Sequence, residues 1–159
     1  MYTFDTFRID GTNRFAHAAA HAVAEVPGRA YNPLWIYGCS GTGKTHLLGA
    51  IERKVAQDYP GTIVAHVSLM NPYALDRRLD QAQVLLIDDA EHLRSSCIMF
   101  EQFNEVVTST VIEGGQVIVA SKMPYECLHF GCCAHPLPQV SWWLEVDMSG
   151  RSLIRDWPA

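Results

Sequence analysis

Several things are scarce in this chain of 159 residues. No apolar run approaches the ~18 residues that a membrane-spanning helix needs. No internal repeat and no low-complexity tract is present. Charge is sparse: 18% of residues are charged, the formal net charge is −5, and the lysines and arginines are scattered. A protein that grips nucleic acid by itself shows a basic face, so direct DNA binding by this chain alone is not expected. The start, Met1-Tyr2-Thr3-Phe4-Asp5, has neither the basic region nor the apolar core of a secretion signal, which points to the cytoplasm. Five cysteines, at 39, 97, 127, 132 and 133, are an odd number and read as free thiols in a reducing compartment. Cys127, His129, Cys132, Cys133 and His135 crowd together, but no C-x2-C pair is set apart from a second pair as structural zinc requires. That cluster reads as an ordinary loop, with a metal site as the alternative.

What is present is globular: 48% of residues are apolar, enough for one domain with a real core, taken here as 1–159. Within it, Gly38-Cys39-Ser40-Gly41-Thr42-Gly43-Lys44-Thr45 fits the phosphate-loop pattern G-x4-G-K-[ST]. Such a loop wraps a polyphosphate with backbone N–H groups, and side chains along that path would clash, hence Gly38, Gly41 and Gly43. Lys44 is expected to reach the β- and γ-phosphates, and the Thr45 hydroxyl to bind Mg²⁺. The context agrees. Leu34 to Tyr37 reads as a buried strand. His46 onward reads as a helix with an apolar stripe at Leu47, Leu48, Ile51 and Val55, its positive end aimed at the anion.

The remaining pattern alternates helices and apolar strands. Asn13 to Val26 is alanine-rich and helix-forming, with Thr12 or Asn13 able to cap it and Pro27-Gly28 to stop it. Strands are expected over 62–69, 84–87, 116–120 and 142–148, and a helix over 100–112, ended by Gly114-Gly115. This order implies a parallel sheet covered on both faces, with nucleotide at the carboxyl ends of its strands. The strand Val84-Leu85-Leu86-Ile87 runs into Asp88-Asp89. Asp88 is expected to hold Mg²⁺ through water, and Asp89 to orient or activate the attacking water. A solvated turn is the plain alternative; the upstream phosphate loop favours the metal role.

The stretch from Tyr2 to Ile51, "VLLIDDAEHL", "FEQFNEVV" and "GGQVIVASKMP" together resemble the ATPase domain of the DnaA family of bacterial replication initiators, with the related Hda group as a second candidate. The resemblance implies an α/β P-loop NTPase fold of AAA+ type: a three-layer sandwich on a five-stranded parallel sheet of order 5-1-4-3-2. It implies ATP or ADP with Mg²⁺ as ligands. The implied nucleotide contacts are Asn13, Gly38, Gly41, Thr42, Gly43, Lys44, Thr45 and His46. Thr45 and Asp88 are the implied Mg²⁺ residues, with Lys44 and Asp89 catalytic. The segment from Phe7 to Asn13 should line the adenine pocket, with Pro33 near the base.

The chain departs from the family in four places. Only 15 residues separate Ser68 from Val84, too few for the helical insertion that touches single-stranded origin DNA. Lys122 follows Ala120-Ser121, where the family has a carboxylate. Pro138 to Trp143 contains no arginine where the family supplies an arginine finger to a neighbouring subunit; Arg151 and Arg155 lie too far along. The helical lid is not found before Ala159.

Three functions follow. One is an ATP/ADP-binding module that regulates or assists replication initiation through an AAA+ partner such as DnaA, with little hydrolysis alone. A second is a weak ATPase stimulated by a partner that lends an arginine. The third is a pseudo-ATPase scaffold that binds no nucleotide. Trp142-Trp143 reads as part of a terminal strand, with a partner-binding patch as the alternative.

Overall fold

The computed structural model describes residues 1–75, 79, 81–128 and 144–149. Along the chain these form α1 (Arg14–Glu25), β1 (Leu34–Tyr37), α2 (Lys44–Asp58), β2 (Val64–Ser68), β3 (Val84–Asp88), α3 (Cys97–Ile112), β4 (Gln116–Ser121) and β5 (Leu144–Asp147). Short 3-10 turns lie at Ala90–Ser95 and Tyr125–Leu128. Every strand pairing is parallel, in the order β2-β3-β4-β1-β5. Read from the other edge, this is the expected 5-1-4-3-2.

The layers follow from the two-residue period of a strand. Leu34, Ile36, Leu86, Ile118, Ala120 and Val146 join the core beneath α1 and α2. Their neighbours Trp35, Leu85, Ile87, Val117 and Val119 join the core beneath α3, with Phe100, Phe103 and Val107. With both faces covered, β3 and β4 are buried at every position, which is why they read as unbroken apolar runs. Fully burying each such side chain stabilises the fold by about 1.5–3 kcal/mol. β2 lies at the sheet edge, only partly buried, and is shorter than its β-branched run promised.

Helix α1 packs with small side chains, Ala16, Ala19, Ala20 and Ala24 beside Val23, at helical spacing. Helix α3 begins three residues before its expected start because Ser96 caps it, its Oγ accepting from Met99 N at 3.2 Å. The opposite holds at α1. Asn13 stands at the N-cap position but makes no side-chain cap bond. Its Oδ1 accepts from Asp10 N at 2.9 Å and its Nδ2 donates to Arg8 O at 3.0 Å, while Thr12 Oγ1 donates to Asp10 Oδ1. These side chains close the preceding loop instead of capping the helix.

At the amino end of the sheet, fully buried Gln116 accepts from Gly28 N at 2.9 Å and donates to Tyr31 O at 3.2 Å. Asn32 donates to Gly115 O and accepts from Val117 N. Together they sew the α1–β1 connection to β4. Pro33 enters β1 at this end, its carbonyl accepting from Leu144 N. It therefore lies at the opposite end of β1 from the phosphate loop.

Cys39 and Cys127 are free and exposed. Cys97 is disulfide-bonded, which corrects the expectation of free thiols throughout; sequence spacing does not reveal which thiols a fold brings together. His129, Cys132, Cys133, His135, Pro138–Trp143, Arg151 and Arg155 lie outside the described residues. Among the described residues no helix is long and apolar enough to cross a membrane.

Candidate functional site

The phosphate loop leaves the carboxyl end of β1 and turns directly into α2. Its first residue is pinned to the neighbouring strand, Gly38 N donating to Ser121 O at 3.2 Å. Gly41 and Gly43 have φ of +82° and +97°, values that side chains resist. Gly43 is tight in space as well, since a Cβ there would lie 2.7 Å from Phe7 Cε2. Backbone conformation and a close aromatic neighbour thus both require glycine at 43.

Lys44 is largely buried, and its ammonium bends back over the loop. Nζ donates to Gly38 O at 2.7 Å and Cys39 O at 2.8 Å, and reaches Thr42 Oγ1 at 3.4 Å. Burial pushes its pKa down, against the pull of Glu91 and Asp88, while Lys122 adds to the downward push. Thr42 is held by the same loop, its Oγ1 donating to Cys39 O at 2.9 Å.

The next residue crosses to the sheet. Thr45 Oγ1 donates to Asp88 Oδ2 at 2.6 Å, joining the start of α2 to the end of β3. Asp88 Oδ1 accepts from Asp89 N at 2.9 Å, and Asp89 adopts φ of +58°. The turn swings the Asp89 carboxylate toward β2, where Ser68 Oγ donates to its Oδ2 at 2.6 Å. Parallel register sets this up, since Ser68 pairs with Asp88. Ser68 was not expected as a site residue. The available signal was a hydroxyl closing the strand beside the carboxylate pair.

A hydroxyl and a carboxylate form a hard-oxygen pair that suits Mg²⁺, which keeps several waters and shares phosphate oxygens with its nucleotide. Among the described residues no cluster of three or more His, Cys, Asp or Glu could hold a metal on its own. The pair therefore fits a metal that arrives with a phosphate ligand.

Two expected contacts sit behind the loop. His46 Nε2 lies 2.8 Å from Thr3 O and 3.3 Å from Thr6 Oγ1, with its ring against Tyr2 and Phe7. It clamps the N-terminal segment onto α2. Asn13 is buried, with its amide engaged by Arg8 and Asp10. Phe7 packs edge-on against His46, lies close to Gly43 and stacks on His17.

Across the site, Lys122 follows the last residue of β4. Its Nζ lies 2.8 Å from Glu91 Oε1, and its N donates to Glu91 Oε2 at 3.1 Å. Burial pushes the Glu91 carboxyl up, but the Lys122 ammonium and backbone N–H groups outweigh it and hold it below the ordinary range. Contact with Glu91 raises Lys122 in turn. Glu91 is thus largely buried at the site. Ser121 makes its polar contact locally, Oγ accepting from Met123 N.

A parallel sheet of order 5-1-4-3-2, a glycine loop entering α2 and a hydroxyl–carboxylate pair beside it define a P-loop domain of the AAA+ type. The description "Bacterial DnaA ATPase domain" matches residues 1–130, and the chain belongs to this family. It is 44% identical over 136 residues to the chromosomal replication initiator protein DnaA of Clavibacter sepedonicus. That match covers 77% of this chain and 29% of that protein, so the chain spans under a third of its relative's length. The solved structure of AMPPCP-bound DnaA from Aquifex aeolicus superposes with a TM-score of 0.78 at 26% identity, covering 92% of this chain and 49% of that one. A structure of replication initiator DnaA bound to AMPPCP and single-stranded DNA gives 0.77 at 26%, with the same coverage of each chain.

Proposed function

We propose that residues 1–159 form one DnaA-like module that binds ATP or ADP with Mg²⁺ and regulates or assists replication initiation through an AAA+ partner such as DnaA, with little hydrolysis alone. The contact between Thr45 and Asp88 carries this reading, because it joins a metal-binding hydroxyl to a metal-binding carboxylate at the mouth of a phosphate loop. The Mg²⁺ would screen phosphate charge. The N–H groups of Gly41, Thr42, Gly43, Lys44 and Thr45 would cradle the phosphates at the start of α2. Lys44 would exchange the Gly38 and Cys39 carbonyls for phosphate oxygens, which are stronger partners for an ammonium. Asn13 would act by shaping the loop from Arg8 to Asp10 that borders the base, and His46 by holding the N-terminal segment over α2.

Direct DNA binding is not part of the proposal. The 15-residue link from β2 to β3 leaves no room for a helical insertion, and the net charge is negative. The test is calorimetric titration with ADP·Mg²⁺ and ATP·Mg²⁺, with Lys44→Ala as control. Binding in the wild type that disappears in Lys44→Ala supports the reading; no heat from either nucleotide sinks it.

The placement of Asp89 favours a second reading, a weak ATPase stimulated by a partner's arginine. The Ser68 hydroxyl fixes that carboxylate beside the metal pair, where it could orient water.

A further inference from the structure

Helix α1 carries two histidines, His17 and His21, four residues apart, so one helical turn brings them to the same face. Both are half-buried. Their ring centres lie 6.3 Å apart, with planes 28° from parallel.

Each ring has one nitrogen already engaged. His21 Nδ1 lies 3.5 Å from Glu25 Oε1, one further turn along the helix. A ring nitrogen of His17 is held by the backbone of Phe4. That leaves His21 Nε2 and the second His17 nitrogen without a partner among the described residues. A histidine that ligates a metal donates its other N–H to a carboxylate or a backbone carbonyl, which fixes the ring and makes the ligating nitrogen more basic. Both kinds of acceptor are present here, one for each ring. Phe4 also shields the pair, its ring edge-on to His17 at 5.4 Å and to His21 at 5.0 Å. Burial and the nearness of His21 hold His17 below the usual histidine range, so its ring is neutral at pH 7, the form that coordinates.

We propose that His17 and His21 chelate a divalent transition ion of the zinc class. With Zn–N bonds near 2 Å, a tetrahedral ion holds two imidazole ring centres roughly 5 Å apart. The observed pair has to close by only about 1 Å, which rotation about the soft χ2 of histidine supplies while the backbone of α1 stays in place. Glu25 would orient His21 without touching the ion. Among the described residues no three His, Cys, Asp or Glu could hold a metal together, so water completes the shell and the ion stays exchangeable. Imidazole nitrogen suits zinc, copper and nickel, whereas Mg²⁺ takes oxygen. This site is therefore distinct from Thr45 and Asp88, and it does not depend on nucleotide binding.

The experiment titrates the full chain with Zn²⁺ at neutral pH, following heat and the ring-proton NMR signals of the histidines. It compares the wild type with His17→Gln, His21→Gln and Glu25→Gln, with melting curves as a check on folding. The wild type should bind one ion more than either histidine variant, and the signals of His17 and His21 should move together. Glu25→Gln should keep the stoichiometry and weaken the affinity by about 10-fold, the lower end of what an outer partner of a ligating histidine contributes. Mg²⁺ should move neither signal. The exposed thiols of Cys39 and Cys127 offer Zn²⁺ another place. Zinc binding equal in number and affinity in the wild type and both histidine variants would put the ion on other groups and overturn the chelate. A wild type that binds no zinc, or whose His17 and His21 signals stay fixed, overturns it as well. Should one histidine variant melt below the assay temperature, the other variant and the wild-type ring signals decide the same question.

Discussion

Thr45 and Asp88 meet at 2.6 Å, the hydroxyl at the start of one helix donating to the carboxylate at the end of a neighbouring strand. A hydroxyl bonded to a carboxylate is a pair already placed for a divalent ion. In Asp88→Asn the amide keeps the size but loses the charge that, in the proposed site, would hold the metal's water. Nucleotide affinity measured without Mg²⁺ should be little changed. The gain on adding Mg²⁺ should shrink by about 10- to 100-fold, the usual cost of losing an outer-layer metal partner. Equal Mg²⁺ dependence in wild type and variant would remove Asp88 from the metal site.

Asp89 would have a different task, because its carboxylate is held by Ser68 while that of Asp88 is held by Thr45. In Asp89→Ala, ADP affinity should stay near wild type. Partner-stimulated phosphate release should fall by about 10²–10⁴-fold, the range for a positioned acid–base group. Ser68→Ala, which frees the carboxylate without removing it, should cost less. Undiminished release in Asp89→Ala would rule out a role in orienting water.

The local signals of this fold were strong in the sequence and the tertiary ones were not. Strand β1 was legible to the residue, because a buried four-residue run ends in the glycine loop. Strands β3 and β4 were equally plain, since burial on both faces makes Val84–Ile87 and Val117–Ala120 unbroken apolar runs. What could not be read was which polar side chain would meet which. Asn13 carries a capping side chain, yet that amide turns back to Arg8 and Asp10. Gln116 is polar in a buried strand because it serves carbonyl and amide groups 85 and 88 residues away. Ser68 and Glu91 became site residues only once parallel register and a 3-10 turn had set their neighbours. The departure at Lys122 was visible as a reversed charge, but its partner was not.

Gly43 and Gly41 separate two penalties that loop glycines usually combine. Both have positive φ, but a Cβ at 41 meets nothing within 4 Å, whereas one at 43 would strike Phe7 at 2.7 Å. Gly41→Ala should cost only the backbone strain, on the order of 1–3 kcal/mol. Gly43→Ala should cost more, because Phe7 must also move. At about 2–4 °C per kcal/mol for a chain of this size, the two should be resolved in thermal melts. Phe7→Leu placed on Gly43→Ala should recover part of the difference. Equal melting temperatures for the two single variants would show that Phe7 yields freely.

His17 ties this loop to pH. Its ring stacks on Phe7 at 5.6 Å, meets Phe4 edge-on at 5.4 Å and lies 6.3 Å from His21. Burial lowers its pKa, proximity to His21 lowers it further, and a backbone contact with Phe4 partly opposes them. The other titratable groups around it are His46, which packs on Phe7, and Glu25, 3.5 Å from His21. A histidine with a depressed folded pKa takes up its proton more readily when unfolded. Above the unfolded value of 6.5 both states are neutral and His17 leaves stability unchanged. As pH falls through 6.5 the unfolded chain gains protons first, and stability drops until the lower folded pKa is passed. Melting temperature should therefore hold near neutrality and decline as the pH falls below 6.5. The decline should be shallower in His17→Gln, which removes the titrating group. Since Phe7 also touches Gly43, nucleotide affinity should weaken over the same window and recover in the variant. Parallel pH profiles for wild type and His17→Gln, in melting and in binding, would place the acid sensitivity elsewhere.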